Sequence, residues 1–512
     1  MVRFSNIYQF FFVTILLSSN AKTSASESLQ IQNDYLLNNT IAHDIHKNVF
    51  FSNSNESDTP PNDCRKNTSN KNTNVNKVEK ISIAPSSDSA QNPVKEKKPW
   101  TFIVYAAADN NLRDYASRNI KQMSTIGSNS NINIVVHLDI RLVGQKKMTR
   151  RYYIEKNNPV QVDMVNEKTP MDSGDPQTLI SACQWAIQNY PADHYFLVLW
   201  NHGTGIIDPY GRRQFDTNML YVYNAQTNSY ELDRNIGFLD LIEAFNDPKG
   251  ICWDDSTGNY LTNQKLEFAL QEIVSKPLKG KKFDIIAFDA CLMSMIEIAQ
   301  ITKQFANIQI SSQEVEPGPG WKYDEALSLF ITGAPEPTAL ARHIVDAFAK
   351  AYKPYGNHPG FVDFTQSALD LKAIETIEIN IDKVSELLLQ GIQSGHNVTY
   401  KNIITLSRNK KNITHFNEPT YVDLHHFYTN LLKNIKQSTI VNLPLSQDLL
   451  ATLTQGLDAI KKAVIHTVSG SNLPHARGIS IFFPERKIHP SYKKSNFAKN
   501  NWVQFLTSYI LG

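Results

Sequence analysis

Short apolar runs alternate with amphipathic stretches through the central part of the chain. The runs are rich in isoleucine, valine and phenylalanine and occur at residues 101–108, 132–140, 195–200, 283–289 and 306–314. Between them, apolar residues recur at helical spacing over residues 111–126, 175–190, 261–274 and 292–301. Buried strands that alternate with helices predict an α/β fold, in which helices sandwich a mostly parallel sheet.

The pattern changes at the borders of this central region. Residues 150–156 and 159–165 predict a shorter hairpin or a pair of edge strands. A long stretch at 206–260, rich in Asp, Asn, Tyr and Gly, interrupts the alternation and indicates a functional loop region. Beyond residue 365 the spacing predicts helices near 380–394, 420–435, 447–468 and 501–511, with one late strand at 477–485. The C-terminal region is therefore expected to be mainly helical.

The beginning of the chain has the pattern of an export signal followed by a polar leader. Arg3 precedes an apolar run at 7–17, and small residues around Ala21 and Ala25 suit cleavage, which predicts a signal peptide over 1–25. An uncleaved anchor is the alternative, although the run is short for a membrane span. Residues 26–96 are dominated by Asn, Ser, Lys, Asp and Thr. Such a segment buries too little apolar area to offset its ordering entropy, so we expect a disordered leader or propeptide.

Composition narrows the class of protein further. Of the 512 residues, 41% are hydrophobic and 20% charged, as in soluble globular proteins, and this length exceeds a single core. The net charge of +2 argues against a nucleic-acid partner and gives no electrostatic reason for membrane attachment. The four cysteines predict neither a disulfide framework nor a structural zinc site. We expect no stable membrane span after signal removal.

Two strand ends carry residues that could act together as a nucleophile and a base. Cys291 follows the strand at 283–289, and His202 and Gly203 follow the strand at 195–200. The carboxyl ends of parallel strands share one edge, so these residues could be neighbours if their strands are adjacent. The imidazole could then take the thiol proton, and the N–H groups of Gly203 and Cys291 could form an oxyanion hole. A helix predicted to start at Leu292 would also lower the thiol pKa.

Each of these residues also has a purely structural interpretation. A cysteine at a strand end is commonly a small buried hydrophobe, and a histidine there is commonly a satisfied structural residue. The occurrence of both at matching strand ends favours the catalytic interpretation.

Four motifs in order resemble those of the clostripain family of cysteine peptidases. They are YAAADNNL at 105–112, WNHGTG at 200–205, DACLM at 289–293 and EPGPGW at 316–321. The resemblance runs from about Trp100 to the C-terminus. It implies a caspase-like fold, shared with gingipains, legumains and caspases, with a catalytic domain over 97–360 and an α-rich region over 361–512 packed on it.

The resemblance implies particular roles for individual residues. His202 and Cys291 would form a catalytic dyad, and Asp289 would bind an Arg or Lys side chain in the S1 pocket, where a carboxylate can pair with guanidinium in a bidentate manner. Glu314 and Glu316 are further acidic candidates for that pocket. The alternatives are a helix cap for Asp289 and solvated loop charge for the two glutamates.

The resemblance also implies activation by self-cleavage between His202 and Cys291, after a basic residue. Arg212 and Arg213 are the first candidates, followed by Arg234 and Lys249, with ordinary surface charge as the alternative. No cofactor or metal is required. Calcium is left open as a cofactor, with oxygens from Asp208, Asp254 and Asp255, although no EF-hand loop is present.

The sequence therefore predicts an exported cysteine endopeptidase, periplasmic, secreted or at the cell surface, that cleaves peptides or proteins after Arg or Lys. We expect a monomer that consists of two chains after processing. The alternative from another class is a catalytically inactive caspase-like binding module at the cell surface. Acyl transfer to a non-peptide substrate is a weaker alternative.

Overall fold

The central feature of the fold is a large sheet, seen in a computed structural model that describes residues 96–165, 170–208, 220–234, 250–355 and 359–511. The predicted signal peptide, nearly all of the leader, and Arg212, Arg213 and Lys249 lie outside the described residues. Within the described residues the sheet has nine strands in the order β15-β13-β11-β10-β5-β1-β2-β3-β4. These are β1 (Lys98–Ala108), β2 (Ile132–Ile140), β3 (Met148–Glu155), β4 (Asn158–Val165), β5 (Ala192–Trp200), β10 (Phe283–Asp289), β11 (Ala306–Ser311), β13 (Thr365–Asp370) and β15 (Val464–Ser469).

The middle of the sheet is parallel and its flanks are antiparallel. Strands β11, β10, β5, β1 and β2 run parallel to one another. The hairpin of β3 and β4 continues the sheet on one side, and β13 and β15 continue it on the other. Every residue of β2 and β10 is buried, because helices cover both faces and the apolar runs can pack on either side. The predicted mostly parallel α/β sheet is confirmed.

Smaller strands and helices complete the described structure. The remaining strands are β6 (Tyr221–Asn224), β7 (Ser229–Leu232), β8 (Ile251–Asp254), β9 (Asn259–Leu261), β12 (Gly360–Phe361), β14 (Tyr421–Asp423) and β16 (Ser480–Phe482). The helices are α1 (Arg113–Ile126), α2 (Pro176–Asn189), α3 (Asn263–Ser275), α4 (Ile296–Thr302), α5 (Tyr323–Ala326), α6 (Pro337–Tyr352), α7 (Ile374–Gln393), α8 (Asn397–Arg408), α9 (Leu424–Lys436), α10 (Pro444–Ala463) and α11 (Asn501–Leu511).

Local sequence signals explain where several helices begin. The Asp175 carboxylate accepts a hydrogen bond from the Gln177 N–H at 2.9 Å, and Pro176 occupies the first turn of α2. The Thr262 hydroxyl caps α3 in the same manner through the Lys265 N–H. At α9, the Asp423 carboxylate accepts from the backbone N–H of His426 at 2.8 Å. Each cap satisfies a backbone N–H group that the helix itself leaves without a partner.

The C-terminal region differs from its prediction most clearly at the end of helix α10, besides the additional helix α8 and strands β13 and β14. The expected helix at 447–468 ends at Ala463, and Val464–Ser469 forms strand β15, which pairs with β13 at the end of the sheet. This stretch contains Val464, Ile465, Thr467 and Val468, whose branched side chains fit a pleated strand. The edge of β13 offers backbone hydrogen bonds to this stretch, and it therefore forms a strand in place of the predicted helix. None of the helices in the described ranges is long and apolar enough to cross a membrane.

Candidate active site

The register of two adjacent strands brings His202 and Cys291 to one place. Strands β5 and β10 pair in parallel, and Trp200 is the register partner of Asp289. His202 and Cys291 each follow their strand's paired residue by two positions, so they leave the same edge of the sheet side by side. Both residues line one pocket at this edge, and both are almost fully buried. The adjacency on which the predicted pair depends is present.

Gly203 lies directly against the backbone of Cys291. A Cβ atom at Gly203 would lie 2.3 Å from the Cys291 carbonyl oxygen and about 3.0 Å from the Met293 side chain. No other residue type fits this position without a shift of the Cys291 backbone. The absence of a side chain thus permits the two strand ends to approach. The oxyanion hole of Gly203 and Cys291 N–H groups stays a prediction.

The Cys291 thiol is held on a sharp turn. Its sulfur accepts a hydrogen bond from the Glu316 N–H at 3.3 Å. The next residue, Leu292, has a φ of 64°, a left-handed conformation that costs an L-residue roughly 1–2 kcal/mol. The Leu292 N–H donates to the Glu314 carbonyl oxygen at 3.2 Å. Backbone contacts to the segment after β11 therefore hold the turn that presents the sulfur.

The helix after this turn begins later than the sequence predicts. Helix α4 starts at Ile296, five residues beyond Cys291, with Met295 at its N-cap. The intervening segment is bound to neighbouring backbone, because the Ser294 N–H donates to Ser312 and the Ser294 carbonyl accepts from the Ser480 N–H. The predicted helix start at Leu292 is therefore wrong, and with it the premise that a helix N-terminus directly follows the thiol. The same observation removes the helix-cap interpretation of Asp289.

His202 is oriented by a residue that the sequence analysis did not select. Its Nε2 atom lies 2.8 Å from the Asn111 side-chain oxygen. An amide oxygen accepts hydrogen bonds only, so Nε2 carries the proton and Nδ1 is the basic nitrogen of the neutral ring. Asn111 belongs to the YAAADNNL motif and follows β1, the strand that pairs with β5. A polar residue at the shared carboxyl edge was the signal that could have identified it.

Replacing Asn111 by alanine is expected to lower kcat by roughly 10- to 100-fold with little change in KM, because a misoriented imidazole transfers protons poorly. Steady-state kinetics on an arginyl peptide amide measures both constants. Asn111→Asp, which retains the acceptor oxygen, should recover part of kcat and shift the acid limb of the pH profile. A purely structural role for Asn111 would instead lower the amount of active enzyme and leave that profile unchanged.

Asp289 is a buried carboxylate with two hydrogen-bond donors. It accepts from the Trp321 N–H at 3.1 Å and from the Tyr323 hydroxyl at 2.7 Å. Gly320 presses against it, since a Cβ there would lie 2.6 Å from an Asp289 oxygen, and its φ of 63° also favours glycine. Burial raises the pKa of Asp289 to about 6, although the hydrogen bonds it accepts act in the opposite direction.

Glu316 shares the pocket with Asp289, and the two carboxyl groups titrate together. Burial raises the pKa of Glu316 well above its usual range, and the Asp289 charge raises it further. The Gln366 amide donates to Glu316 Oε1 at 3.2 Å. Two like charges buried in one pocket are costly, so the pair of carboxyl groups retains one proton. Asp289, with its two donors, is the ionised partner, and Glu316 holds the proton.

Glu314 lies apart from the pocket that His202 and Cys291 line. Its Oε2 atom is 3.0 Å from the Arg234 guanidinium, which also contacts the Asp363 carboxylate at 2.6 Å. Its Oε1 atom accepts from the N–H groups of Val315 and Asn417. These partners occupy both oxygens of Glu314, whose buried carboxylate holds the half-buried side chain of Arg234.

The pocket beside Cys291 is narrow. Its volume is about 20 Å³, enough for one water molecule and too small for an arginine side chain. One wall is formed by Glu316, Pro317, Gly318 and Gly320. An arginine side chain therefore fits beside Asp289 only in a wider form of this pocket.

The candidate calcium ligands contact groups of the chain itself. The Asp254 carboxylate lies against the Lys147 ammonium, which also contacts Asp139 at 2.8 Å. Asp208 contacts the Asn263 amide instead. Within the described ranges, no group of three or more His, Cys, Asp or Glu side chains could hold a metal ion. Asp254 does not fit a calcium ligand here, because a lysine already supplies its cation, and calcium dependence stays a prediction.

Comparison with known proteins identifies the family. The model of the clostripain family matches residues 104–219 and 237–507, which include both strand ends of the site. The chain belongs to the clostripain family of cysteine peptidases. The predicted resemblance is confirmed, and clostripain-family peptidases in solved structures share the fold.

Individual relatives of this clostripain-family chain include one curated protein and several solved structures. Clostripain of Hathewaya histolytica is 26% identical over 359 residues, which span 62% of this chain and 60% of that protein's length. A secreted C11 cysteine protease from Bacteroides thetaiotaomicron, solved with an irreversible peptide inhibitor, has a TM-score of 0.52 at 18% identity and covers 80% of this chain and 98% of its own. An inactive zymogen C11 protease from Parabacteroides distasonis has a TM-score of 0.51 at 18% identity, over 81% and 99%. At these identities the structures establish the fold alone.

Proposed function

We propose that this chain is an exported cysteine endopeptidase that cleaves after arginine or lysine. The observation that carries the proposal is the placement of His202 and Cys291 at adjacent strand ends, beside the buried carboxylate of Asp289. A nucleophile, a base and an anion for a basic side chain then share one pocket. Family membership supports the peptidase chemistry. The apolar run and cleavage pattern of residues 1–25 support export.

The reaction divides into acylation and deacylation. His202 Nδ1 takes the thiol proton, and the Cys291 sulfur attacks the scissile carbonyl carbon. The oxyanion is stabilised by the N–H groups of Gly203 and Cys291, at about 3 kcal/mol for one donor. The imidazolium donates its proton to the leaving amine, and a thioester remains. Water then attacks the thioester while His202 takes its proton, and the thiol is regenerated with release of the carboxylic acid.

The specificity for basic side chains follows from the different protonation states of the carboxyl groups of Asp289 and Glu316. The ionised Asp289 pairs with a guanidinium or an ammonium, while the protonated Glu316 donates a hydrogen bond to Asp289 without competing for the cation. Arginine suits such a carboxylate better than lysine, because its planar group can make two parallel hydrogen bonds. We therefore expect arginine to be preferred.

A panel of fluorogenic peptides that differ only in the residue before the scissile bond tests this function. We expect hydrolysis after Arg, weaker hydrolysis after Lys, and none after Gln or Asp. An arginyl chloromethylketone should label Cys291, which peptide mass mapping identifies. A folded protein that neither hydrolyses any peptide of the panel nor reacts with the ketone would support the binding module instead.

Self-cleavage after Arg212 or Arg213 is expected to accompany activation, since the narrow pocket must open before an arginine can enter. Purified protein should migrate as two fragments in denaturing gels, whereas Cys291→Ala should stay whole. Arg212→Gln/Arg213→Gln should also stay whole, while the control Lys249→Gln should be processed normally. Full activity in an uncut chain would contradict the proposal. We place Arg234 last among the candidates because its ion pairs with Glu314 and Asp363 hold it.

A further inference from the structure

A large cavity lies outside the catalytic pocket, and basic and histidine side chains are prominent in its lining. Its volume is about 650 Å³, within the range of ligand-binding sites. It is formed by the turn after α8, helix α9 and the loop before β16. Its ionisable lining residues among those the structure describes are Arg234, Lys411, His415, His426, Lys433 and His475. We call this cavity the basic pocket.

Acidic side chains are missing from the basic pocket and rare in the sequence around it. None of its described lining residues is Asp or Glu. Between residues 387 and 447, which include α8 and α9, the only acidic residues are Glu418 and Asp423. Both are buried, with Glu418 bonded to Thr420 and Asp423 capping α9. The exposed lysines of this region therefore have no local counter-charge from these two residues, although the whole chain has a net charge of only +2.

One histidine of the basic pocket is fixed as a neutral hydrogen-bond donor. The His426 Nδ1 atom accepts from the Thr414 N–H at 3.0 Å. Burial lowers the pKa of His426 to about 4, and neighbouring His475, His425 and Arg477 lower it further. The neutral ring must then carry its proton on Nε2. The pocket thus combines exposed lysine cations with a neutral donor, a combination that suits carboxylate oxygens.

The basic pocket is connected to the catalytic turn by a short series of contacts. Arg234 forms part of its wall and pairs with Glu314. The Glu314 carbonyl accepts from the Leu292 N–H, next to Cys291. One ion pair and one backbone hydrogen bond therefore link the basic pocket to the turn that presents Cys291.

We propose that the basic pocket is an exosite that binds acidic side chains of a protein substrate, remote from the scissile bond; this inference rests on the proposed peptidase function. Lys411 and Lys433 lie on different elements and face one open groove, so they match acidic residues spread along a peptide rather than a single compact anion. Binding there raises the local concentration of the scissile arginine at Cys291.

The test compares two peptides of equal length with one arginine each, one with a cluster of Asp and Glu distant from the arginine and one with Asn and Gln in their place. With the full-length protein at low salt, we expect kcat/KM to be about fivefold higher for the acidic peptide, because two exposed ion pairs contribute modestly. Lys411→Gln/Lys433→Gln should abolish this preference and leave a short arginyl amide unaffected. The matched control Lys461→Gln/Lys462→Gln, on exposed residues of α10, should retain it.

Each outcome separates the exosite from the peptidase function. Hydrolysis of the short arginyl amide without any preference for the acidic peptide overturns the exosite alone. If no peptide is hydrolysed, the proposed function fails. Fluorescence anisotropy of the labelled acidic peptide with Cys291→Ala protein still measures the affinity of the basic pocket for that peptide. In that assay the preference should fall with added salt. Two results together would assign the pocket to small anions and overturn the substrate role. These are equal affinity of the protein for the acidic and the neutral peptide, and displacement of both peptides by inorganic phosphate.

Discussion

Alanine in place of Cys291 is expected to lower kcat/KM for an arginyl peptide amide by at least about 10⁴-fold, because the covalent path is lost. The fold should be unaffected, since the sulfur contacts Glu316 through backbone atoms that keep their own places in the segment after β11. Initial rates at high enzyme concentration measure the residual activity. Cys183→Ala is the control, since Cys183 is equally buried within α2 but lies away from the pocket.

His202→Ala should cause a loss of similar size, and the double variant should be hardly worse than either single variant, because the two residues act as a unit. Near-additive losses in the double variant would mean that His202 and Cys291 contribute independently. Activity that persists in Cys291→Ala but disappears in Cys183→Ala would contradict the assignment of the nucleophile.

Asparagine in place of Asp289 is expected to lower kcat/KM for arginyl peptides by roughly 10²- to 10³-fold, because a buried cation loses its only charged partner in the pocket. Glu316→Gln should change it less than about threefold, since the amide replaces a carboxyl group that already holds a proton. Gln can still accept from Gln366 and donate to Asp289. Kinetics with arginyl and glutaminyl peptides separates lost specificity from lost chemistry. Equal losses in both variants would show that Glu316, too, binds as an anion.

The pH dependence of KM follows from the same pair. Because the pKa of Asp289 is raised to about 6, this carboxyl group loses its charge as the pH falls through that value. KM for arginyl peptides should therefore rise below about pH 6, at a higher pH than for a carboxylic acid with an ordinary pKa.

Protonation of the same pair weakens substrate binding but should increase the stability of the fold. The folded state binds more protons than the unfolded state between about pH 4 and 6, so this pair makes the free energy of unfolding decrease as the pH rises through that window. Urea titrations at several pH values, on Cys291→Ala protein and on Asp289→Asn/Cys291→Ala protein, measure the contribution of this pair to the free energy of unfolding.

The composition of the strands made the sheet predictable, but not the order of its strands. Runs of isoleucine, valine and phenylalanine indicate β1, β2, β5, β10 and β11, because their short length and branched side chains suit strands buried on both faces. The sequence left open whether β5 and β10 are neighbours, on which the site depends. Strand order is a matter of long-range pairing, which local periodicity does not encode.

Local signals also failed where tertiary contacts compete with them. The helical spacing after Cys291 is genuine, yet backbone hydrogen bonds between Ser294 and both Ser312 and Ser480 keep the residues before Ile296 out of the helix. Val464–Ser469 continues a helical pattern, yet β13 offers an open edge. Asn111 was missed because one asparagine in a turn has many uses, and its role requires a neighbour 91 residues away.

The sequence by itself determined the α/β class, the family motifs, and the strand ends that carry His202, Gly203, Asp289 and Cys291. These follow from composition and spacing, which act within a few residues along the chain. Only the tertiary structure decided that Asn111 orients His202, that Asp289 shares a proton with Glu316, and that Glu314 pairs with Arg234 instead. Those outcomes depend on burial and on distances between remote segments, because charge, protonation and hydrogen bonding respond to what surrounds a group in space.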